Sequence, residues 1–122
     1  MKYYIDGFSK PCRVIHAKWN DHETYQVMYK SWGMIRVSRD YNEPAVATIS
    51  ELYIIEKKRR QGLGYALLEL AMDIGLSMEG VECLELCCDM EISQWYKTLG
   101  WLHHGYNEDS LEVLRYSPPR SL

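Results

Sequence analysis

Along the chain, stretches where apolar and polar residues alternate give way to stretches where apolar residues recur every third or fourth position. Residues 2–6 read as a short extended piece and 12–18 as a fuller strand. From Asn20 the period changes. Tyr25, Met28, Tyr29 and Trp32 fall at i, i+3, i+4 and i+7, the apolar stripe of a helix. Asn20 stands where a cap is needed, Glu23 completes a capping-box spacing, and Gly33 can end the helix. Residues 24–32 also alternate in part, so a strand competes there, but the helix is favoured.

Residues 34–39 read as a strand, 40–44 as a turn, and 45–55 as a long strand rich in β-branched residues. A glycine-containing loop, 56–62, leads into a helix over 63–78, with Leu63, Leu67, Leu70 and Ile74 facing the core and Gly80 as its stop. Residues 81–88 form a buried strand. Asp89 caps a short helix carrying Ile92, Trp95, Tyr96 and Leu99 on one face, closed by Gly100. Residues 101–106 and 111–116 flank Asn107-Glu108-Asp109-Ser110 as a hairpin, and the tail 117–122, with Pro118-Pro119, is expected to fray. The order strands, helix, strands, helix, strand, helix, hairpin predicts an α/β (α+β) sheet with helices packed on it.

Composition narrows the function. The 122 residues fit one domain, 1–122, with no linker or repeat inside it. A hydrophobic fraction of 47% and a charged fraction of 25% describe an ordinary globular chain. A net charge of −3 argues against a dedicated nucleic-acid binder. No stretch is long and apolar enough to span a membrane, and the opening residues carry no apolar leader segment, so a cytoplasmic location is expected. Cys12, Cys83, Cys87 and Cys88 contain no Cys-x-x-Cys pair. They read as buried free thiols rather than metal ligands, and no metal is expected.

The stretch Leu52-Tyr53-Ile54-Ile55-Glu56-Lys57-Lys58-Arg59-Arg60-Gln61-Gly62-Leu63-Gly64 carries the chemistry. It sets a basic, glycine-containing loop between a strand and an amphipathic helix. The first helical turn offers unpaired N–H groups and the positive end of the dipole. Gly62 and Gly64 remove side chains that would hold a diphosphate away from those amides, and Arg59 and Arg60 add donors. A P-loop is excluded because Tyr65-Ala66 follows Gly64 where Lys-Ser/Thr is required. A dinucleotide fingerprint is excluded because Leu67 stands at its third glycine.

Arg59-x-x-Gly62-x-Gly64 resembles the Gln/Arg-x-x-Gly-x-Gly/Ala signature of the GCN5-related N-acetyltransferase (GNAT) superfamily. Trp95-Tyr96-Lys97-Thr98-Leu99-Gly100-Trp101 resembles that family's aromatic-Tyr-x-x-Leu-Gly-aromatic element. The two lie in order, one helix and one strand apart, and the similarity runs from Ala45 to about Tyr116. Three features depart from the family. The usual proline after the signature strand is replaced by Glu56 or Lys57, and Asp89 stands where an asparagine is common. The first half offers one helix rather than two.

The resemblance implies a compact fold with a mixed, mostly antiparallel central sheet flanked by helices. It also implies an enzyme that moves an acetyl group from acetyl-CoA directly to a primary amine on a small molecule or a protein. A catalytically weak acyl-CoA-binding protein acting through protein contacts is the alternative. By the same resemblance, Arg59, Arg60, Gln61, Gly62, Leu63, Gly64 and Tyr65 hold the coenzyme diphosphate. Leu52, Tyr53 and Ile54 pair with its pantetheine arm as an added strand, and Asp89 joins them. Tyr96 matches the family's proton donor, although it also completes an apolar stripe. Glu51, the only carboxylate in the signature strand before Glu56, is the candidate base, on a regular strand sharing a face with Ile49 and Tyr53. It also suits a solvated partner for a lysine, which is the favoured reading of the residue alone, and His103, His104 or water could take the amine's proton instead. Family members often dimerise through sheet edges, which makes a homodimer an expectation.

Overall fold

The computed structural model describes residues 2–119. The elements are β1 (Arg13–Lys18), β2 (His22–Tyr29), β3 (Gly33–Asp40), β4 (Val46–Ile54), α1 (Leu63–Ser77), β5 (Cys83–Cys88), α2 (Met90–Thr98), β6 (Leu102–Tyr106) and β7 (Glu112–Tyr116). One short 3-10 turn, Glu56–Lys58, lies in the loop between β4 and α1. The strands form one sheet in the order β1-β2-β3-β4-β5-β7-β6. Every neighbouring pair is antiparallel except β4 and β5, which run parallel. The mixed, mostly antiparallel sheet with helices is the fold class expected from the sequence.

The helix expected from Asn20 to Trp32 is instead strand β2. Its sequence, His-Glu-Thr-Tyr-Gln-Val-Met-Tyr, satisfies both periods, and pairing with two neighbours decides between them. Arg13↔Met28 to Lys18↔Glu23 tie it to β1, and His22↔Asp40 to Tyr29↔Gly33 tie it to β3. Val27 and Tyr29 are buried under α1's side of the sheet, as alternation requires. The supposed capping residue Glu23 is a buried carboxylate, accepting hydrogen bonds from Arg39 Nη2 at 3.0 Å and His16 Nε2 at 3.1 Å. Gly33 opens β3 rather than closing a helix. A Cβ there would lie 2.6 Å from Ile54 Cδ1, so the hairpin turn needs a glycine to sit this close to β4.

Both helices pack on the same face. Gly75 of α1 lies so close to the sheet that a Cβ would meet Leu84 Cδ2 at 2.7 Å and Val37 Cγ1 at 3.4 Å. Leu84, Leu86 and Cys88 alternate onto that face along β5, and Cys88 is the register partner of Glu112. The Glu112 carboxylate in turn accepts from Lys97 Nζ of α2 at 2.9 Å and His103 Nδ1 at 2.8 Å. This three-way contact, with a buried carboxylate and two partly exposed donors, ties α2 to the terminal hairpin. The opposite face carries Thr24, Gln26, Arg36, Ser38, Thr48 and Glu85, and among the described residues no helix covers it. Among the described residues, no helix is long and apolar enough to cross a membrane.

Two smaller expectations also change. On α2 the buried residues are Ser93 and Tyr96, while Ile92 and Trp95 are exposed. The helix therefore turns part of its apolar stripe to solvent instead of to the core. Cys87 is exposed and Cys83 half-buried, so only Cys12 and Cys88 are buried thiols. Of the tail, residues 120–122 lie outside the described residues.

Candidate active site

The site begins with a defect in β4. Glu51 has φ +59°, a left-handed backbone in mid-strand. Opposite it the register with β3 slips, from Arg36↔Ser50 to Met34↔Tyr53. Two residues, Glu51 and Leu52, thus face one, a β-bulge. The bulge exchanges the faces: Ala47 and Ile49 point to the core before it, and Ile54 does so after it, touching the position of a Gly33 Cβ. The expected common face of Ile49, Glu51 and Tyr53 therefore does not exist.

The bulge bends β4 away from β5. Their parallel pairing stops after Val46↔Cys83, Ala47↔Leu84 and Thr48↔Glu85. Beyond Thr48 the facing edges of the two strands are unpaired with each other and open a slot of about 320 Å³. Ile49, Leu86, Cys88 and Tyr96 line it from the helix-covered face, and Ser50 and Cys87 from the uncovered one. Glu51, Leu52, Asp89, Ile92 and Leu111 complete its rim. Because both faces contribute, the slot passes through the plane of the sheet.

At the same end of β4 the chain enters α1. Gly62 is its N-cap at φ +83° and ψ 2°, with no side-chain capping bond, and no acidic residue lies in the first turn. The Gly62 carbonyl accepts from Ala66 N at 3.0 Å. Among the described residues, the amides of Gly62, Leu63, Gly64 and Tyr65 have no intramolecular acceptor, as helix geometry requires of a first turn. A Cβ on Gly62 would meet nothing within 4 Å, so the space beside this residue is open. Arg59 fixes the loop against the strand by donating from Nε to the Ile54 carbonyl at 2.8 Å. Its guanidinium carbon lies 5.8 Å from the Tyr53 ring.

Tyr96 lies one strand away. It is 8% exposed, edge-on to Trp95 at 4.9 Å and to Trp101 at 6.1 Å between ring centroids. Burial, with a smaller contribution from nearby Cys88, pushes its phenol above the usual tyrosine range. Asp89, the N-cap of α2, makes no side-chain capping bond; its carbonyl accepts from Ile92 N and Ser93 N instead. Among the described residues the carboxylate has no hydrogen-bond or ion-pair partner, and it stands at the rim.

A family model described as "Acetyltransferase (GNAT) family" matches residues 1–101. The chain belongs to the GNAT acetyltransferase family. No curated protein matches. Three solved structures show the same fold at low identity. An acyl-CoA N-acyltransferase from Pseudomonas aeruginosa is 14% identical, with 81% of this chain and 70% of that chain covered and a TM-score of 0.67. The PaiA N-acetyltransferase from Thermoplasma acidophilum, in complex with coenzyme A, is 18% identical over 80% of this chain and 62% of that one, with a TM-score of 0.62. N-acetylglutamate synthase from Neisseria gonorrhoeae, complexed with coenzyme A and L-arginine, is 15% identical with a TM-score of 0.65. The match covers 80% of this chain and a quarter, 25%, of that larger one.

In this GNAT chain the fold gathers Glu51, Leu52, Asp89 and Tyr96 around one slot and places Arg59 to Tyr65 at the adjoining helix start. Tyr53 and Ile54 lie beyond the bulge, between the two features; Tyr53 is exposed and Ile54 half-buried. His103 is taken up by Glu112, and neither His103 nor His104 lines the slot. Of the two residues on the uncovered side of the slot, Ser50 was not singled out from the sequence, and Cys87 was read there as a buried thiol, whereas it is exposed. A strand ending in consecutive cysteines beside a bulge gives no pattern that marks one of them as open.

Proposed function

We propose that this GNAT chain is an N-acetyltransferase that moves the acetyl group of acetyl-CoA directly onto a primary amine of a small molecule or a protein. The observation that carries this reading is the adjacency of two openings: an uncapped, acid-free amide terminus at Gly62 and a slot through the sheet beside it, lined by Tyr96. The residues fit coenzyme A. A diphosphate needs converging unpaired donors with no side chain in the way, and the first turn of α1 offers both. A pantetheine arm carries amides that need a strand-like partner, and the β4 edge beyond Thr48 lacks one on the β5 side. The complexes of two GNAT-fold relatives with coenzyme A support the assignment.

Bound there, acetyl-CoA supplies a thioester-activated acetyl group. The amides of Gly62, Leu63, Gly64 and Tyr65, with Arg60 and Gln61, hold the diphosphate. Arg59 keeps the loop in place through Ile54. Leu52, Tyr53 and Ile54 orient the arm along β4, and the free Asp89 carboxylate accepts from one of its amide N–H groups. Tyr96 keeps its phenolic proton throughout the neutral range, because burial raises its pKa, so it serves as a donor to the departing sulfur rather than as a base. Glu51, exposed at the rim, takes the proton that the amine must lose. The amine reaches the slot from the uncovered face, past Ser50 and Cys87.

The test is coenzyme A release from acetyl-CoA, followed chromatographically across a panel of amines and peptides. Tyr96→Phe should lower kcat by about 100-fold while leaving coenzyme affinity within about twofold. Equal turnover in the two proteins would remove Tyr96 from the mechanism. Coenzyme binding without release on any acceptor would favour the alternative, an acyl-CoA-binding protein acting through protein contacts.

A further inference from the structure

Five of the cations cluster around the β4–α1 loop: Lys57, Lys58, Arg59 and Arg60 within it, and Lys30 from the turn after β2. Between Tyr53 and Tyr65 the sequence holds a single acid, Glu56, although the whole chain carries a net charge of −3. Among the described residues, none of the five forms an ion pair. Besides Arg59, which donates to the Ile54 carbonyl, two of them are nonetheless held in place. The Lys30 ammonium lies 4.3 Å and the Lys58 ammonium 3.9 Å from the ring centroid of the same residue, Trp32. The Trp32 carbonyl accepts from Ile55 N at 2.8 Å, which fastens this turn to the end of β4. Lys30 adopts φ +49°, a backbone conformation that lysine seldom takes and that the turn imposes here.

Two ammonium groups confined to one indole repel each other, and the ring quadrupole offsets only part of that repulsion. An anion of charge two beside them turns the repulsion into attraction. Lys58 stands four residues before Gly62, so their backbones are separated by at most about 14 Å, before the reach of the lysine stem is counted. Coenzyme A carries, beyond its diphosphate, an adenosine whose ribose bears a phosphate monoester on the 3′ oxygen. We infer that Lys30, Lys58 and Trp32 form the subsite for that monoester and let the protein discriminate coenzyme A from its 3′-dephospho form. The inference rests on the coenzyme reading of α1 and adds a second, separate anion contact supplied by a different part of the sheet.

Calorimetric titration of coenzyme A and 3′-dephospho-coenzyme A into the wild type and Lys30→Asn/Lys58→Gln tests it. Asparagine tolerates the left-handed backbone at position 30. The wild type is expected to bind coenzyme A about tenfold or more tightly than the dephospho form, as for charge-assisted contacts. The double variant should lose that preference, with dephospho-coenzyme A affinity changed by less than about threefold. Equal binding of the two ligands by the wild type overturns the subsite and leaves the α1 diphosphate seat intact. Loss of affinity for both ligands alike in the variant also overturns it, reducing the cluster to a general field. Failure of both ligands to bind the wild type overturns the subsite together with the coenzyme reading. A short oligothymidylate that binds more tightly than coenzyme A at the same salt reassigns the patch to nucleic acid and overturns the proposal. If the double variant does not fold, Lys58→Gln alone carries the same comparison.

Discussion

Placing a negative charge at Gly62 isolates the role of the α1 amides from every other feature of the site. Gly62 has φ +83°, and a side chain there would meet nothing within 4 Å, so the cost of substitution lies in the backbone alone. Asparagine and aspartate share that cost, because both tolerate the left-handed region and have nearly the same shape. The comparison of Gly62→Asp with Gly62→Asn therefore reads charge only. A carboxylate about 6 Å from a phosphate repels each negative charge by about 3 kcal/mol at an effective dielectric of about 20. That corresponds to a factor of about 100 in affinity per charge. The same carboxylate faces the positive end of the α1 dipole, where no acid stands in the wild type. It should stabilise the ligand-free protein by about 0.3–1 kcal/mol relative to asparagine, a rise of a few degrees at most in melting temperature. Thermal melts with and without coenzyme A, and a titration of each variant, read both effects. Gly62→Asp is expected to melt at or above Gly62→Asn without ligand, yet to bind coenzyme A at least about 100-fold more weakly. Equal affinity of the two variants would refute the assignment of the diphosphate to these amides.

Further outcomes follow from other parts of the molecule. Gly75→Val should destabilise the protein by about 3 kcal/mol, since even a Cβ would lie 2.7 Å from Leu84 Cδ2 in the core; an unchanged denaturant midpoint would contradict the packing of α1. The Glu112 carboxyl is held at a pKa of about 2 by hydrogen bonds from Lys97 and His103, below its ordinary 4.5. Its contribution to stability is complete above that ordinary value and is lost as pH falls toward about 2, so Glu112→Gln should flatten the wild-type loss of urea resistance between about pH 5 and about pH 2. Cys87 should react with iodoacetamide well before Cys12 and Cys88, whose burial raises their thiol pKa, and bound coenzyme A should slow that reaction. Peptide mapping that finds Cys88 modified first would contradict the arrangement of the slot.

Much of this architecture was legible in the sequence, and the exceptions share a cause. The β4–α1–β5–α2 run and the terminal hairpin could be placed because each has one dominant period and glycines or an Asx residue at its ends. Residues 22–29 carry two periods at once, since Tyr25 and Tyr29 belong to both the four-residue and the two-residue pattern. Local pattern cannot choose between them; hydrogen bonds to β1 and β3 do, and these are long-range. The glycine loop was legible because the anion chemistry resides in backbone amides, which sequence exposes through glycine spacing. The β4 bulge was not, because Glu51 at φ +59° is a residue with no compositional sign of a left-handed backbone. With it went the true facing of Glu51 and the existence of a slot through the sheet. The exposure of Ile92 and Trp95 on α2 was equally hidden, because an apolar residue left at the surface looks the same in sequence as one kept for the core.

The most direct measurement is an amide proton–nitrogen NMR titration of the isotopically labelled protein with coenzyme A. The Gly62 and Gly64 amide protons are expected to move downfield as they acquire phosphate acceptors, accompanied by shifts at Leu52 and Ile54 along the open edge of β4. Saturable binding that leaves both glycine amides unmoved, with its shifts gathered at another surface, would contradict the claim that the start of α1 seats the coenzyme.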